Sequence, residues 1–261
     1  MRVSRMKLLD LFSGIGGFSY GLEKTGGFET AAFCEIDPYA RAVLNKHWPD
    51  VPCYEDVRTL TSEQLAADGV DVDVITGGFP CQDISTSGKG AGIAGERSGL
   101  WSEIARLTGE LRPSYVIVEN VSVLRGRGLS TVLGDLSEIG YDAEWHCIPA
   151  AYVGAPHRRD RIWIIAYPTG WDEDDVAHSG CRGSQGQGPS IPALHPAPCL
   201  NGEAIKPIDG GLAHIWSPEP DVGRVAHGIP RRVDRLKCLG NSLVPQIPEM
   251  IGRAILQAEL R

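Results

Sequence analysis

The chain of 261 residues carries 25 Lys+Arg against 33 Asp+Glu, so its formal net charge is −8. Hydrophobic residues make up 42% and charged residues 22%, a globular composition that excludes wholesale disorder. No apolar run approaches the ~20 residues that a membrane helix needs, and the first residues lack the apolar core of a secretory signal. We therefore expect a soluble cytoplasmic protein whose seven cysteines are reduced.

Short apolar runs alternate with amphipathic segments along the first two thirds of the chain. Strands are predicted over 6–12, 28–36, 51–54, 72–76 and 115–118. Helices are predicted over 18–24, 38–48, 61–67 with Ser62 as its cap, 100–111 and 130–139. A strand pair over 143–148 and 162–167 follows, and a last helix covers 248–260. This order predicts an α/β fold with a doubly wound, mostly parallel sheet.

The composition changes after Tyr167. Residues 168–223 are rich in Pro, Gly, Ser and Asp and have poor periodicity, and a long irregular stretch of this kind usually carries function. We therefore predict a main unit over 1–167, a smaller irregular region over 168–230, and a C-terminal segment over 231–261 that returns to the main unit.

Two histidines and two cysteines of the irregular region have a spacing that zinc ligands can show. They are His178, Cys181, His195 and Cys199. Structural zinc sites hold their ligands on a strand pair or a helix. Neither is evident here, so coincidence is the favoured interpretation and no metal is predicted.

A glycine turn and two acids follow the first three predicted strands. Gly14, Gly16 and Gly17 allow close approach of a ligand to the backbone where a strand runs into a helix. Glu35 ends the second strand, where an acid can bind ribose hydroxyls, and Asp56 follows the third. The pattern predicts an adenosine-type ligand and does not separate NAD from S-adenosylmethionine. The alternative is an ordinary glycine turn with surface acids.

Three further features carry reactive or charged side chains. Cys81 in GGFPCQ directly follows a strand and is a candidate nucleophile, although a small buried core residue is an equal alternative. Glu119 in ENV points into the same crevice and would donate a proton if desolvated; a solvated acid is the alternative. Arg159 and Arg161 in HRRDR are predicted to face one side of a strand, against the alternative of a solvated charge run.

Taken in order, these motifs resemble the C5-cytosine-specific DNA methyltransferase family. DLFSGIGGF is similar to the family's first motif, Glu35 and Asp56 to its second and third, and GGFPCQDIS to its catalytic motif. ERSGLW, ENV, HRRDR and LGNSLVP complete the set. His157 departs from the glutamine common in the family, and the motif before GNS is reduced to RVAHGIP. The short irregular region is similar to that of compact phage-type or orphan bacterial members.

The resemblance implies a reaction and its cofactor. A methyl group from S-adenosylmethionine would pass to C5 of a flipped-out cytosine in a specific duplex DNA sequence, through a covalent adduct between Cys81 and C6. Glu119 would hydrogen-bond or protonate N3, Arg161 would contact the flipped base or its phosphate, and Arg159 would support Glu119. The loop over 83–99 would close over the DNA, and 168–230 would be the target-recognition region of an S-adenosylmethionine-dependent methyltransferase fold.

The resemblance also implies binding residues and partners. The implied cofactor residues are Phe12 against the adenine, Ser13, Gly14, Gly16, Gly17, Glu35 on the ribose, Ile36, Asp56 on the adenine amino group, Val57, Pro80, Leu100, and Asn241 with Ser242 over the carboxylate. The implied DNA contacts are Gln82, Ser85, Ser87 and Arg97. The implied partners are double-stranded DNA and a cognate restriction endonuclease of the same restriction-modification system, with no membrane. A monomer in a bacterial cell, or a phage-encoded one, is expected.

Three rival functions remain open at this point. A cytosine-5 methyltransferase acting on tRNA would use the same chemistry, but relatives of that kind carry a Cys-Phe-Thr tripeptide that is absent here. A catalytically silent DNA-binding relative would not need to keep Cys81, Glu119 and Arg161 together. A nicotinamide or flavin oxidoreductase would explain the glycine turn and leave PCQ, ENV and GNS unexplained.

Overall fold

A computed structural model describes residues 5–80, 98–170 and 238–260. The strands are β1 (Met6–Leu11), β2 (Phe28–Cys34), β3 (Cys53–Tyr54), β4 (Val74–Gly77), β5 (Tyr115–Val121), β6 (Tyr141–Pro149) and β7 (Asp160–Pro168). The helices are α1 (Gly17–Glu23), α2 (Pro38–His47), α3 (Ser62–Ala67), α4 (Trp101–Leu111), α5 (Leu124–Arg127), α6 (Leu129–Glu138) and α7 (Gln246–Ala258). Short 3-10 turns cover Ser98–Leu100 and Ala150–Val153.

The seven strands form one sheet in the order β3-β2-β1-β4-β5-β7-β6. β1 pairs in parallel with β2 and β4, and β5 pairs in parallel with β4. β7 runs antiparallel to both β5 and β6. The predicted doubly wound, mostly parallel α/β sheet is therefore confirmed. The strand order reverses at β1, so a crevice opens there at the carboxyl edge, where such sheets bind ligands.

Apolar residues on both faces of the sheet explain why its central strands are buried. One core packs α4 and α6 against the sheet through residues such as Ile104 and Leu136. The other packs α1 and α7 through residues such as Leu22 and Ile251. Near-continuous apolar runs are typical of parallel strands that are covered on both sides.

Capping side chains fix where the predicted helices begin. Asp37 caps α2 by accepting from the amide of Tyr39 at 2.9 Å, with Pro38 at the first helical position, as predicted. The prediction of Ser62 as the cap of α3 was wrong. Thr61 is the cap, because its hydroxyl accepts from the amide of Gln64 at 3.2 Å.

Close packing between the first and last helices brings the C-terminal segment back to β1. An ideal Cβ on Gly21 of α1 would lie 2.2 Å from the carbonyl oxygen of Pro245, directly before α7. An ideal Cβ on Gly252 of α7 would lie 2.8 Å from Leu22. Only glycine permits the contact at position 21, where the neighbouring atom is backbone, whereas a side chain at position 252 would require Leu22 to shift.

Part of the predicted organisation lies outside the described residues. This applies to residues 171–230 of the predicted recognition region and to His178, Cys181, His195 and Cys199. Across the described ranges, none of the helices has the length and apolar character needed to cross a membrane. No group of three or more potential metal ligands occurs within those same ranges.

Candidate functional site

The glycine turn after β1 is held to the end of β2 by one serine. The Ser13 hydroxyl donates to the carbonyl of Asp10 and accepts from the amide of Cys34 at 3.2 Å. Gly14 and Gly16 have φ values of 55° and 82°, in the left-handed region that favours glycine. An ideal Cβ on Gly14 would meet nothing within 4 Å, so the turn borders open space. The half-buried Phe12, also at positive φ, packs against the core beside it.

Glu35 closes the opposite side of this turn. One carboxylate oxygen accepts from the amide of Gly14 at 2.7 Å and the other from the amide of Asp37 at 2.8 Å. The glutamate is 9% exposed, whereas its neighbour Ile36 is 60% exposed. A fixed acid and an exposed apolar side chain thus lie side by side at the carboxyl edge of the sheet.

Asp56 and Val57, the two predicted cofactor residues after β3, have different environments. Both carboxylate oxygens of Asp56 accept from the guanidinium of Arg58, at 2.6–3.1 Å. These hydrogen bonds lower the pKa of Asp56. Val57 is 5% exposed and belongs to the core beneath the site. The structure therefore places Val57 as support for the site wall.

The GNS segment lies against the start of α1. An ideal Cβ on Gly17 would be 3.0 Å from Leu243 and 3.6 Å from the hydroxyl oxygen of Ser242. Asn241, directly before, is exposed. The fold therefore brings the first motif and the GNS motif together although they are far apart in the sequence.

The end of β4 and the end of β5 meet at the second half of the site. An ideal Cβ on Gly78 would lie 3.3 Å from a carboxylate oxygen of Glu119, so this glycine lets the acid approach the turn. The buried Asn120 side chain donates to the carbonyl of Phe79 at 3.2 Å. Pro80, half-buried, is the last described residue of the turn. Cys81, Gln82, Ser85, Ser87 and Arg97 lie outside the described residues, and Leu100 packs partly against the core where the description resumes.

Glu119 is largely buried and paired with Arg161. The Nε atom of Arg161 lies 2.8 Å from a carboxylate oxygen of Glu119, and the two side chains are 22% and 14% exposed. Burial raises the pKa of Glu119, and the charges of Arg161 and Arg159 oppose that rise only in part. Burial thus favours proton uptake by this acid, while the arginine fixes its orientation.

Arg159 differs from its predicted placement. Arg159 and Arg161 were expected on one face of a strand, but β7 begins at Asp160, and Arg159 precedes it with φ of 37°. Its Nη1 donates to the carbonyl of Gly240 at 2.9 Å. Its charge still reaches Glu119, whose pKa it lowers. Arg159 thus connects Gly240, the first residue of the GNS segment, with the Glu119 side of the site.

Two buried polar residues of the site were missed by sequence reasoning. No role was predicted for Asn120 of the ENV motif, although its side chain donates a hydrogen bond to Phe79 in the turn before Cys81. Asp10 is fully buried in β1 and accepts from the hydroxyls of Ser19 and Thr76, both at 2.8 Å. A buried carboxyl group needs such partners, so an aspartate in the apolar run MKLLDL is the signal that would have indicated it.

The arrangement offers two adjacent functions along one edge of the sheet. The glycine turn contacts both Glu35 and the GNS segment and borders open space at Gly14, so a polar ligand with an apolar part can bind there. Next to it, the largely buried Glu119 and Arg161 lie beside the turn that leads to Cys81 in the sequence. Such a site can bind two ligands side by side and activate one of them by a hydrogen bond.

Solved structures of similar fold place the molecule among the methyltransferases. A prophage-encoded E. coli protein assigned as a DNA modification methyltransferase matches with a TM-score of 0.53 and 28% identity, covering 62% of this chain and 47% of that one. A Spodoptera frugiperda DNMT2 variant matches with a TM-score of 0.54 and 23% identity, covering 64% and 51%. The second likeness concerns the fold alone. The chain has the Rossmann-like methyltransferase fold.

The sequence comparison is more specific. The family model of the C-5 cytosine-specific DNA methylases matches residues 6–185. The Type II methyltransferase M2.BsuMI of Bacillus subtilis is 38% identical over 169 residues, covering 62% of this chain and 42% of that protein. M.CviJI of Paramecium bursaria Chlorella virus IL3A is 33% identical over 172 residues, covering 65% and 45%. The chain belongs to the C-5 cytosine-specific DNA methylase family, and the predicted resemblance is confirmed. Its matched part spans less than half the length of these two relatives.

Proposed function

We propose that this protein transfers a methyl group from S-adenosylmethionine to C5 of a flipped-out cytosine in duplex DNA, in the cytoplasm of a bacterial or phage-infected cell. The observation that carries the proposal is the largely buried ion pair of Glu119 and Arg161 beside Gly78, three residues before Cys81. Burial raises the pKa of Glu119, which favours the protonated form that can donate a hydrogen bond to a ring nitrogen.

The cofactor side of the site fits S-adenosylmethionine. Glu35 presents a buried carboxylate, and the exposed Ile36 offers an apolar surface on which an adenine can lie. The open space at Gly14 admits a ligand against the backbone of the turn. Ser242 next to Gly17 would hold the carboxylate end. When bound, S-adenosylmethionine supplies an electrophilic methyl group.

The side chains of the protein would activate the cytosine. The thiolate of Cys81 adds to C6, and Glu119 donates a hydrogen bond or a proton to N3, which draws electrons out of the ring as the carbon–sulfur bond forms. C5 thereby becomes nucleophilic and accepts the methyl group. A base, a water molecule in our proposal, then removes the C5 proton, and the returning electron pair expels the Cys81 thiolate.

The duplex must release the base before this chemistry can occur. C5 and C6 are inaccessible in a stacked helix, and extruding a base costs a few kcal/mol. Arg161, fixed by Glu119, would contact the extruded base. In the proposed organisation, residues 1–167 and 231–261 form the catalytic unit and 168–230 read the DNA sequence. The proposed protein is a monomer, and its proposed partner is a cognate restriction endonuclease of the same restriction-modification system.

The test uses S-adenosylmethionine with a labelled methyl group and duplex DNA of mixed sequence. The wild type should label cytosine C5, and Cys81→Ser should abolish labelling. Glu119→Gln should lower the rate by roughly 10²–10⁴-fold, the usual range for a general acid, with cofactor affinity unchanged. The matched controls are Cys147→Ser and the exposed Glu138→Gln.

Two results would contradict the proposal. If the wild type binds the cofactor and labels tRNA but no duplex, the substrate assignment is wrong. If Cys81→Ser labels DNA as fast as Cys147→Ser, the covalent route is wrong. Sequencing the methylated positions of the wild-type product would identify the recognised site.

A further inference from the structure

A local basic segment follows the strand that carries Glu119. Between Val121 and Gly134 the chain has two arginines, Arg125 and Arg127, and no acid, although the protein as a whole has a net charge of −8. The next acid, Asp135, accepts a hydrogen bond from the indole of Trp101 at 2.7 Å. The positive charge of this segment is therefore not neutralised by acids of the segment itself.

Arg125 differs in its pairing from most arginines of the molecule. Arg41, Arg106 and Arg253 each lie 2.8 Å from a carboxylate oxygen. Among the residues that the structure describes, no carboxylate lies within ion-pair distance of Arg125. The side chain is exposed. An exposed arginine on a segment without acids can bind an anionic ligand.

The two arginines line an open cleft of about 500 Å³. Its other lining residues include the hydroxyl-bearing Ser130 and Thr131, both exposed, and Gly126 and Gly128. Guanidinium and hydroxyl groups are among the side-chain groups that contact phosphate oxygens in protein–DNA complexes. The cleft thus presents donors of the right kind on a concave surface.

Buried side chains lie on both sides of the two arginines. Leu124 and Val132 are fully buried and Leu129 is 6% exposed, so both sides of the segment are anchored in the core. Charged side chains on an anchored segment lose less conformational freedom on binding than those on a free loop. Binding a ligand in one position should therefore cost this cleft less conformational entropy than it would cost a free loop.

The cleft lies close enough to Glu119 for one DNA duplex to contact both. Arg125 lies six positions after Glu119 in the chain, so their Cα atoms are at most about 21 Å apart. Duplex DNA carries one negative charge per ~1.7 Å of its axis. A duplex whose extruded cytosine reaches Glu119 therefore has several phosphates within that distance of the site.

We propose that the cleft lined by Arg125, Arg127, Ser130 and Thr131 binds backbone phosphates of the substrate duplex, outside the extruded base. This inference rests on the proposed function, because it assigns a second contact to the same DNA. The cleft would position the duplex without reading its sequence. It adds affinity that falls with salt, because phosphate binding releases condensed counterions.

The test variant is the double substitution Arg125→Ala/Arg127→Ala. The control is Lys24→Ala/Arg253→Ala, which removes the same amount of charge from the residue after α1 and from α7. Affinity for a duplex of mixed sequence is measured at 50 and 200 mM salt, with thermal melting as the check on folding. Removing the two arginines that bind phosphates should reduce the slope of log affinity against log salt by about 1.8. The ratio of wild-type to variant affinity should then fall roughly tenfold across that salt range. The control should keep the wild-type slope.

The possible outcomes distinguish failure of the proposed function from failure of the phosphate-binding inference. If the wild type binds no duplex, the proposed function fails and this inference fails with it. If the wild type binds and methylates DNA but the cleft variant keeps the slope of the control, only the inference is overturned. If the cleft variant loses affinity for tRNA alone, the cleft binds RNA and the DNA assignment is overturned.

Discussion

Replacing the buried Asp10 by asparagine should remove a defined part of the pH dependence of stability. Burial raises the pKa of Asp10 from 3.8 to about 7, while the hydroxyls of Ser19 and Thr76 act in the opposite direction and the charge of Glu35 adds a little. The folded protein therefore binds a proton on Asp10 that the unfolded chain has already released above pH 4. Stability falls as pH rises wherever the folded state binds more protons.

The interval between the two pKa values sets the magnitude. At about 1.36 kcal/mol per pKa unit, a rise from 3.8 to about 7 amounts to about 4 kcal/mol, fully present below pH 4 and lost once pH exceeds 7. Between pH 5 and 8 the wild type should lose about 3 kcal/mol of this contribution. Asp10→Asn keeps an acceptor for one hydroxyl and carries no charge, so it should not show this loss.

The assay is urea unfolding of wild type and Asp10→Asn at pH 5, 6, 7 and 8. The difference in unfolding free energy should change in favour of the variant by about 3 kcal/mol across the range. Asp142→Asn, which removes an exposed carboxylate from β6, is the control for the loss of one charge. A difference that stays constant between pH 5 and 8 would refute the argument, because Asp10 would then be charged in the folded protein throughout.

Three further predictions concern the proposed catalytic acid and two glycines in helices. Arg161→Gln removes a charge that holds down the pKa of Glu119, so the alkaline limb of the residual methyl-transfer rate should move to higher pH in a pH–rate profile. Gly21→Ala places a Cβ 2.2 Å from the carbonyl oxygen of Pro245 and should destabilise the fold by about 2 kcal/mol or more in urea unfolding. Gly134→Ala, with nothing within 4 Å in the interior of α6, should instead stabilise it by about 0.5–1 kcal/mol. An alkaline limb that does not move in Arg161→Gln would contradict the first argument. Equal changes in stability for Gly21→Ala and Gly134→Ala would contradict the second.

Local patterns in the sequence predict the sheet well because its central strands are short apolar runs, each followed by a turn. The runs at β1, β4 and β5 are long enough to indicate burial on both faces, and the parallel order follows from alternating helices. The ends of elements are less predictable. Thr61 and Ser62 are both good caps, and only the backbone geometry at Thr61 decides between them.

The candidate site depends more on contacts between distant residues. The alternation in HRRDR predicted one face for Arg159 and Arg161, but the positive φ of Arg159 turns it to the carbonyl of Gly240. That contact joins residues 81 apart in sequence and has no local signal. The short helix α5 was missed because its two arginines are separated by a glycine, a poor helix former, and its formation follows from burial of Leu124.

The contact of α7 with α1 also has a consequence for biosynthesis. The apolar face formed by Phe18, Leu22 and Phe28 is completed by Ile251 and Ile255, which the ribosome adds near the end of the described chain. The first βαβ unit emerges long before its cover exists, so this surface stays open to chaperones or to other nascent chains during translation. Truncating the chain before α7 would leave the same surface exposed permanently, and such fragments should aggregate.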